Sequence, residues 1–102
     1  MAGKSVPYED DLTEWLKDPA NAAGYLTAIL EEKDTDALLI ALRDVAKARG
    51  GMSVVAEKAH LRRENLYKML SRKANPGLRS ITNVLHGMGL KLTVAPEQNV
   101  TA

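Results

Sequence analysis

The sequence contains no cysteine and no phenylalanine, and its aromatic side chains are limited to one tryptophan and three tyrosines. The absence of cysteine excludes disulfides, thiol nucleophiles and cysteine-ligated zinc or iron–sulfur sites. No apolar run approaches the ~20 residues of a membrane-spanning helix, and residues 1–7 lack the apolar stretch of a signal peptide. We therefore expect a cytoplasmic protein with no membrane partner.

The length and composition fit one small folded domain. The chain has 102 residues, of which 45% are hydrophobic, so enough apolar surface is available for a packed core. Because aromatic residues are scarce, aliphatic side chains and alanine must fill that core. Their long helix-favouring segments predict an all-α fold.

Charge is distributed unevenly along the chain. Residues 1–40 hold nine acidic and three basic side chains, a net charge of −6, whereas residues 41–102 hold eleven basic and four acidic ones, a net charge of +7. A basic half can attract the phosphates of a nucleic acid, and an acidic half is suited to a different partner. Two ordinary solvated surfaces remain the alternative interpretation.

Apolar residues recur at helical spacing in six segments, and polar residues mark where several of them begin. The first apolar face starts at Tyr8. Asp18 before Pro19 provides an N-cap signal for the second helix, and the run Asp34-Thr35-Asp36 is the start signal of the third. The double glycine at 50–51 predicts the end of the third helix.

The C-terminal segment has a different periodicity. Apolar residues alternate with polar ones from Leu90 to Val94, which predicts a short C-terminal β-strand. Pro96 ends this pattern, and residues 96–102 are expected to form a flexible tail.

Residues 52–71 have the arrangement that offers one helix to DNA. Ser53 is expected to cap a short supporting helix over residues 54–59, with Ala56 small enough for a close helix crossing. A turn at His60 follows. The next helix, predicted for residues 62–71, places Leu66, Met69 and Leu70 inward and leaves a polar, largely basic face outward.

That outward face has the chemistry of groove reading. Arginine pairs bidentately with guanine, glutamate accepts from cytosine N4, and lysine neutralises phosphates. The residues predicted to read bases are Arg62, Arg63, Glu64, Tyr67 and Lys68. The residues predicted to contact phosphates are Met52 and Ser53, through backbone N–H groups at a helix start, with Ser71, Arg72, Lys73 and Arg79.

Residues 52–71 resemble the lambda-repressor-like, Cro/C1-type helix-turn-helix. A wider resemblance, over roughly residues 6–96, is to the probable addiction-module antidote proteins, a HigA-related antitoxin group. It rests on five stretches: VPYED (6–10), AAGYLTAILEE (22–32), DVAKARG (44–50), RENLYKMLS (63–71) and GLKLTV (89–94). His60 departs from the pattern, because that turn position is usually glycine.

The resemblance implies a homodimeric antitoxin that binds a RelE/HigB-like toxin, often an mRNA-cleaving ribonuclease, and that represses its own operon by binding double-stranded operator DNA. It also implies a division of the chain. We expect an acidic N-terminal helical extension at 1–34, a lambda-repressor-like helix-turn-helix domain at 35–95 and the flexible tail beyond it.

Other functions are open at this point. The chain can be a phage-type or general transcriptional regulator without a toxin, or a helix-turn-helix adaptor that binds only protein. An enzyme is not expected, because no nucleophile, base and orienting acid are clustered and no cofactor loop is present. No cofactor is expected, and His60 and His86 alone do not make a metal site. Trp15 and Tyr25 are either core residues or anchors for a partner.

Overall fold

The computed structural model describes residues 9–97, which form six α-helices and no β-strand. The helices are α1 (Glu9–Trp15), α2 (Pro19–Glu31), α3 (Thr35–Ala48), α4 (Met52–Lys58), α5 (Arg63–Met69) and α6 (Leu78–Gly87). The prediction of a helical protein is confirmed for this part of the chain. Tyr8 and residues 98–102 of the expected tail lie outside the described residues. None of the helices in residues 9–97 is long and apolar enough to cross a membrane.

Two helix starts follow their sequence signals. Asp18 is the N-cap of α2, where its carboxylate accepts a hydrogen bond from the Ala20 N–H at 2.8 Å, and Pro19 takes the first helical position. Asp34 caps α3 by accepting from the Ala37 N–H at 3.0 Å. Such caps satisfy N–H groups that have no partner within the helix, so a short local signal is enough to place these starts.

The start of α4 differs from the prediction. Ser53 is not its cap: α4 begins at Met52, and Gly51 occupies the N-cap position without any side-chain hydrogen bond. Gly51 has a φ of +93°, a backbone conformation that is strained for residues other than glycine. The backbone freedom of glycine, and not a serine hydroxyl, therefore turns the chain from α3 into α4.

One buried cluster joins all the helices. The largest fully buried side chains are Leu16, Leu39, Val45, Val55, Leu66, Leu70, Val84 and Met88. The acidic N-terminal segment contributes Leu16, Ala22 and Leu26 to the same cluster, and α1 and α2 both pack on α3. Residues 1–34 therefore cannot be removed without opening the core on which α4 and α5 rest.

The predicted β-strand at 90–94 is absent. Residues 90–97 have an irregular backbone, and residues 91–97 make no backbone hydrogen bond within the described chain. A strand exists only where a neighbouring segment supplies backbone partners, and residues 9–97 hold no other strand. Period-two alternation in the sequence indicates a face for burial, but it does not supply that neighbour.

The close approach of α6 to α4 occurs at Gly87. A Cβ on this residue would lie 2.9 Å from the carbonyl oxygen of Val55 and 3.5 Å from the backbone nitrogen of Ala59. Because these are backbone atoms, they cannot rotate away as the end of a side chain can. The spacing between α4 and α6 thus depends on the missing side chain.

We expect Gly87→Ala to lower the free energy of unfolding by about 1–3 kcal/mol, because overpacking outweighs the better helix propensity of alanine. Urea denaturation measures the change. The matched control is Gly24→Ala, since no atom lies within 4 Å of a Cβ there and Gly24 is exposed within α2. The control should be stabilised by up to about 1 kcal/mol. Equal stabilisation of both variants would contradict the close approach.

Candidate nucleic-acid interface

Helix α5 turns one side into the core and the other to solvent. Leu66 is fully buried, and Leu70, the residue that ends the helix, is buried with it. The opposite side is polar and accessible. We call it the α5 face, and its residues are Arg62, Arg63, Glu64, Tyr67 and Lys68. All of them are exposed except Tyr67, which is half-buried.

A tight turn holds α5 against α4. His60 has a φ of +61°, which is the left-handed backbone conformation. Glycine is usual at this turn position because it adopts that conformation without strain, and here histidine adopts it instead. The N–H of Leu61 donates to the carbonyl of Ala56 at 2.8 Å and closes the turn. Ala56 is buried, as its small side chain predicted. This turn and the packing of Ala56 therefore help to fix the orientation of α5.

Arg43 is a site residue that the sequence analysis did not select. Its guanidinium lies 5.6 Å from the centre of the Tyr67 ring, and the guanidinium of Arg63 lies 5.3 Å from the same ring. Arg43 Nη2 also donates to the carbonyl of Leu70 at 3.2 Å. Contacts of this kind hold the ring in place, each contributing about 0.5–1 kcal/mol at accessible sites.

A signal for Arg43 is present in the sequence. The residue stands four positions after Leu39 and three before Ala46, on the buried side of α3, where a charged side chain is out of pattern. Its Nε is buried without a hydrogen-bond partner. A cation on an otherwise apolar stripe points to a specific task, which here is to connect α3 to the α5 face.

The loop after α5 is tied to its surroundings through backbone groups. Ser71 Oγ donates to the carbonyl of Lys68 at 2.7 Å, and the N–H of Lys73 donates to a carboxylate oxygen of Asp36 at 2.7 Å. Lys73 has a φ of +66°, which this contact helps to maintain. The side chains of Arg72 and Lys73 are exposed, so the loop presents two cations beside the α5 face.

The remaining predicted phosphate contacts lie at helix starts. Met52 is the first residue of α4 and its side chain is buried, so only its backbone N–H is available to a ligand. Ser53 is exposed in the first turn of the same helix, and Arg79 is exposed as the second residue of α6.

Not every basic side chain in residues 41–102 is available to bind a polyanion. Arg49 is half-buried, where its Nε donates to the carbonyl of Met88 at 2.9 Å and its Nη1 donates to the carbonyl of Lys17. This side chain links the α1–α2 turn to the end of α6. The exposed bases after residue 40 are Lys47, Lys58, Arg62, Arg63, Lys68, Arg72, Lys73, Arg79 and Lys91.

A second surface feature is a groove of about 430 Å³ on α2 and α3. Its charged lining residues are four carboxylates, from Glu32, Asp34, Asp36 and Asp44, and one base, Arg72 at its edge with the loop after α5; we call it the acidic groove. Tyr25 lines it and donates a hydrogen bond to Asp44 Oδ2 at 3.1 Å.

The two aromatic residues left open by the sequence have different environments. Tyr25 packs against the core, whereas Trp15 is 43% exposed and meets the Tyr25 ring edge-on at 6.4 Å between centroids. Tyr25 is therefore a core residue with its hydroxyl in the acidic groove, and Trp15 is accessible to a partner.

The hydroxyl of Tyr25 gives the fold a pH dependence. Burial, with the negative charge and hydrogen bond of Asp44, raises the pKa of Tyr25 from 10.0 to about 12. Because the folded pKa lies above the unfolded one, this residue's contribution to stability is complete below pH 10 and is lost as the pH rises through 12.

We expect Tyr25→Phe to lose less stability than the wild type between pH 9 and about pH 12. Urea denaturation at several pH values in that range measures the free energy of unfolding of both proteins. An equal loss of stability in the two proteins would contradict the raised pKa. Lysine titration affects both proteins equally, so it does not contribute to the difference.

Comparison with known proteins adds one family. Residues 8–96 match the family model described as "Probable addiction module antidote protein". The chain is also 37% identical over 84 residues to an uncharacterized protein of Haemophilus influenzae, a match that covers 82% of this chain and 86% of that protein. No solved structure matches the chain significantly.

Proposed function

The chain belongs to the family of probable addiction module antidote proteins, and from this premise we propose that it is a DNA-binding antitoxin that binds a RelE/HigB-like toxin and represses its own operon as a homodimer. The family itself implies a toxin–antitoxin role and suggests a regulatory protein rather than an enzyme. DNA binding, the kind of toxin and repression are the parts that we propose.

The observation that carries the DNA-binding part is the orientation of α5. Leu66 anchors one side of the helix in the core, while Arg63, Glu64 and Lys68 stand in solvent on the other. An α-helix with such a face fits the major groove of B-DNA. We propose that α4 and α5 are a lambda-repressor-like helix-turn-helix in which α5 is the recognition helix.

The proposed contacts follow from the chemistry of each group. Arg63 and Glu64, in the first turn of α5, are placed to reach base edges, as the N-terminal residues of recognition helices do. Arg62, Tyr67 and Lys68 complete the α5 face. Arg72 and Lys73 extend it towards the phosphates, and they position the protein without reading sequence.

The toxin contact is proposed for the acidic N-terminal half. An RNA-cleaving toxin needs a basic surface for its substrate, and the acidic groove offers carboxylates to such a surface. Three of those carboxylates already accept hydrogen bonds within the chain, from Ala37 N, Lys73 N and Tyr25 Oη. Glu32, exposed at the end of α2, has the least internal role and is the side chain we expect a toxin to meet first.

We propose the domain division at 1–34, 35–95 and 96–102 in functional terms: the first segment supplies Glu32 and Asp34 to toxin binding, and the second adds Asp36 and Asp44 to that surface and holds the DNA-binding helix α5. Since Leu16, Ala22 and Leu26 belong to the common core, deletion of the first segment would test folding instead of toxin binding. Glu32→Lys is the appropriate test and should weaken toxin co-purification, with Lys47→Glu as the control, since Lys47 is exposed on α3 and does not line the acidic groove.

Two measurements test the proposed function together. The protein is co-expressed with the product of a small basic reading frame beside its gene, and repression of a reporter behind its own upstream region is recorded. Co-purification and repression support the proposal. Repression without co-purification indicates a regulator that has no toxin, and co-purification without repression indicates a protein-binding adaptor, so either result overturns part of it.

A further inference from the structure

A wholly apolar groove of about 200 Å³ lies on the side of the molecule formed by α2, α3, α6 and the chain that follows α6. Its lining residues are Leu26, Leu30, Leu38, Leu42, Leu78, Ile81, Leu85 and Leu92. Three of them are large exposed hydrophobic residues: Leu30 is 48%, Leu78 70% and Leu92 46% exposed. Nearby in the chain, Val94 is 95% exposed. Such a concentration of apolar surface is typical of an interface.

The chain beside this groove has unused backbone groups. Residues 91–97 are all exposed, and they make no backbone hydrogen bond within the described chain. A segment with alternating apolar residues and free N–H and C=O groups is a template for pairing with another chain. A single partner can therefore cover both features if it supplies apolar side chains to the groove and backbone hydrogen-bond partners to residues 91–97.

Charge indicates what that occupant is. In residues 90–97 the only charged side chains are Lys91 and Glu97, of opposite sign at opposite ends. When two copies of this segment run antiparallel about a two-fold axis at Val94, each Lys91 faces the Glu97 of the other copy. A parallel alignment would place like charges together. The groove contributes no charged lining residue, so a second copy meets no repulsion there.

The same register suits the proline. When Val94 lies opposite Val94 of the other copy, Pro96 lies opposite the Leu92 of that copy. Directly opposite pairs alternate between hydrogen-bonded and non-hydrogen-bonded along an antiparallel ladder, so a non-hydrogen-bonded pair at Val94 makes the Pro96–Leu92 pair non-hydrogen-bonded too. The missing N–H of Pro96 then points away from the partner and leaves no gap in the pairing. Leu90, Leu92, Val94 and Pro96 all lie on one side of the segment, which is the side that includes the groove-lining Leu92.

We propose that the apolar groove and residues 90–97 are a homodimer interface, in which this segment pairs antiparallel with the same segment of a second copy and Val94 lies on the two-fold axis. The proposal deepens the dimeric part of the proposed function and names the surface that forms the dimer. The pairing exists between two chains, so it is compatible with the absence of a strand in the single chain.

Single-cysteine variants test the register directly, because the natural chain has no cysteine. In a non-hydrogen-bonded antiparallel pair the two Cα atoms lie ~4.5 Å apart, within the range that a disulfide spans. Oxidised glutathione should therefore cross-link Val94→Cys into a covalent dimer. Ala95→Cys is the matched control, since it is also exposed but faces Thr93 of the other copy. We expect its cross-linking to be slower by on the order of tenfold or more, because only position 94 is held opposite itself. Equal rates would overturn the register.

Sedimentation equilibrium of the full chain tests the surface. The wild type should be a dimer at micromolar concentration, and Val94→Glu should raise its dimer dissociation constant by about tenfold or more, since two like charges would meet on the axis. Ile40→Glu, on α3 away from the groove, should leave the dimer unchanged. A monomeric wild type, or a Val94→Glu dimer as tight as the wild type, would overturn the interface. Neither result would by itself remove DNA binding by α5 or toxin binding, which the reporter and co-purification measurements report separately.

Discussion

Arg63→Ala should weaken binding to the protein's own operator by about 5- to 150-fold, which corresponds to about 1–3 kcal/mol. Arg63 is exposed in the first turn of α5, and its only described contact is with the face of Tyr67 at 5.3 Å. Its guanidinium is therefore free to pair with O6 and N7 of a guanine. The loss should be concentrated at one base position, so an operator altered there should bind wild type and variant about equally. Fluorescence anisotropy with a set of single-base operator variants measures both effects.

Two further variants separate base reading from general attraction. Arg72→Ala removes an exposed cation from the loop after α5 and should weaken binding to cognate and scrambled DNA equally. The slope of log K against log salt concentration should fall in magnitude by about one, the value for one lost phosphate contact. Lys47→Ala removes an exposed cation from α3 and should change little. Equal losses on both kinds of DNA for Arg63→Ala and Arg72→Ala would refute the base-reading role of Arg63.

Leu66→Ala should lower the free energy of unfolding by about 2–5 kcal/mol, the largest effect expected of a single substitution in α5. Leu66 is fully buried, and it lies in the same cluster as Val55 of α4 and Val84 of α6. Truncation leaves a cavity beneath the helix. Because small domains are stable by only about 5–15 kcal/mol, a change of this size also lowers the population of folded protein near physiological temperature. Urea denaturation and thermal unfolding measure it.

The matched control is Asn65→Ala, one residue earlier on the exposed side of the same helix. It should change the free energy of unfolding by less than about 0.5 kcal/mol. If Leu66→Ala is tolerated as well as Asn65→Ala, the buried side of α5 is not the one described, and the outward direction of Arg63 and Lys68 is wrong with it.

The parts of the fold that the sequence predicts are those decided by neighbouring residues. Asp18 and Asp34 cap α2 and α3 because a short carboxylate side chain reaches an N–H two or three positions ahead. Leu66 and Leu70 are buried because helical spacing places them on one side. The positive φ of His60 follows instead from the resemblance to the helix-turn-helix, in which glycine usually holds this turn position.

Two parts of the fold differ from the prediction, one because of a neighbouring glycine and one because no partner segment is present in the described chain. Ser53 is a good cap by residue type, yet α4 begins at Met52 after Gly51, two residues earlier than a Ser53 cap allows. Residues 90–94 alternate as a strand does, yet nothing in residues 9–97 pairs with them. At Ser53 the conformation of a neighbouring glycine decides where the helix begins, and at residues 90–94 the lack of a partner strand decides that no strand forms.

The candidate site shows the same division. The α5 face follows from helical spacing, and the structure exposes four of its five predicted residues. Arg43 does not follow from it, since its contacts with Tyr67 and Leu70 join positions 24 and 27 residues apart. Its place on the buried side of α3 was the available clue, but only the packing of α3 against α5 shows what the guanidinium meets.

The most direct test of the central claim, that α5 presents its polar face to operator DNA, is a titration of the wild-type chain against two duplexes of equal length and composition. One carries the protein's own upstream sequence and the other a scrambled version, each measured over a series of salt concentrations. The claim predicts binding to the natural sequence that is tighter by about 10³-fold or more, with affinity for both falling as salt rises. Equal binding to the two duplexes at every salt concentration, or no binding to either at low salt, would contradict it.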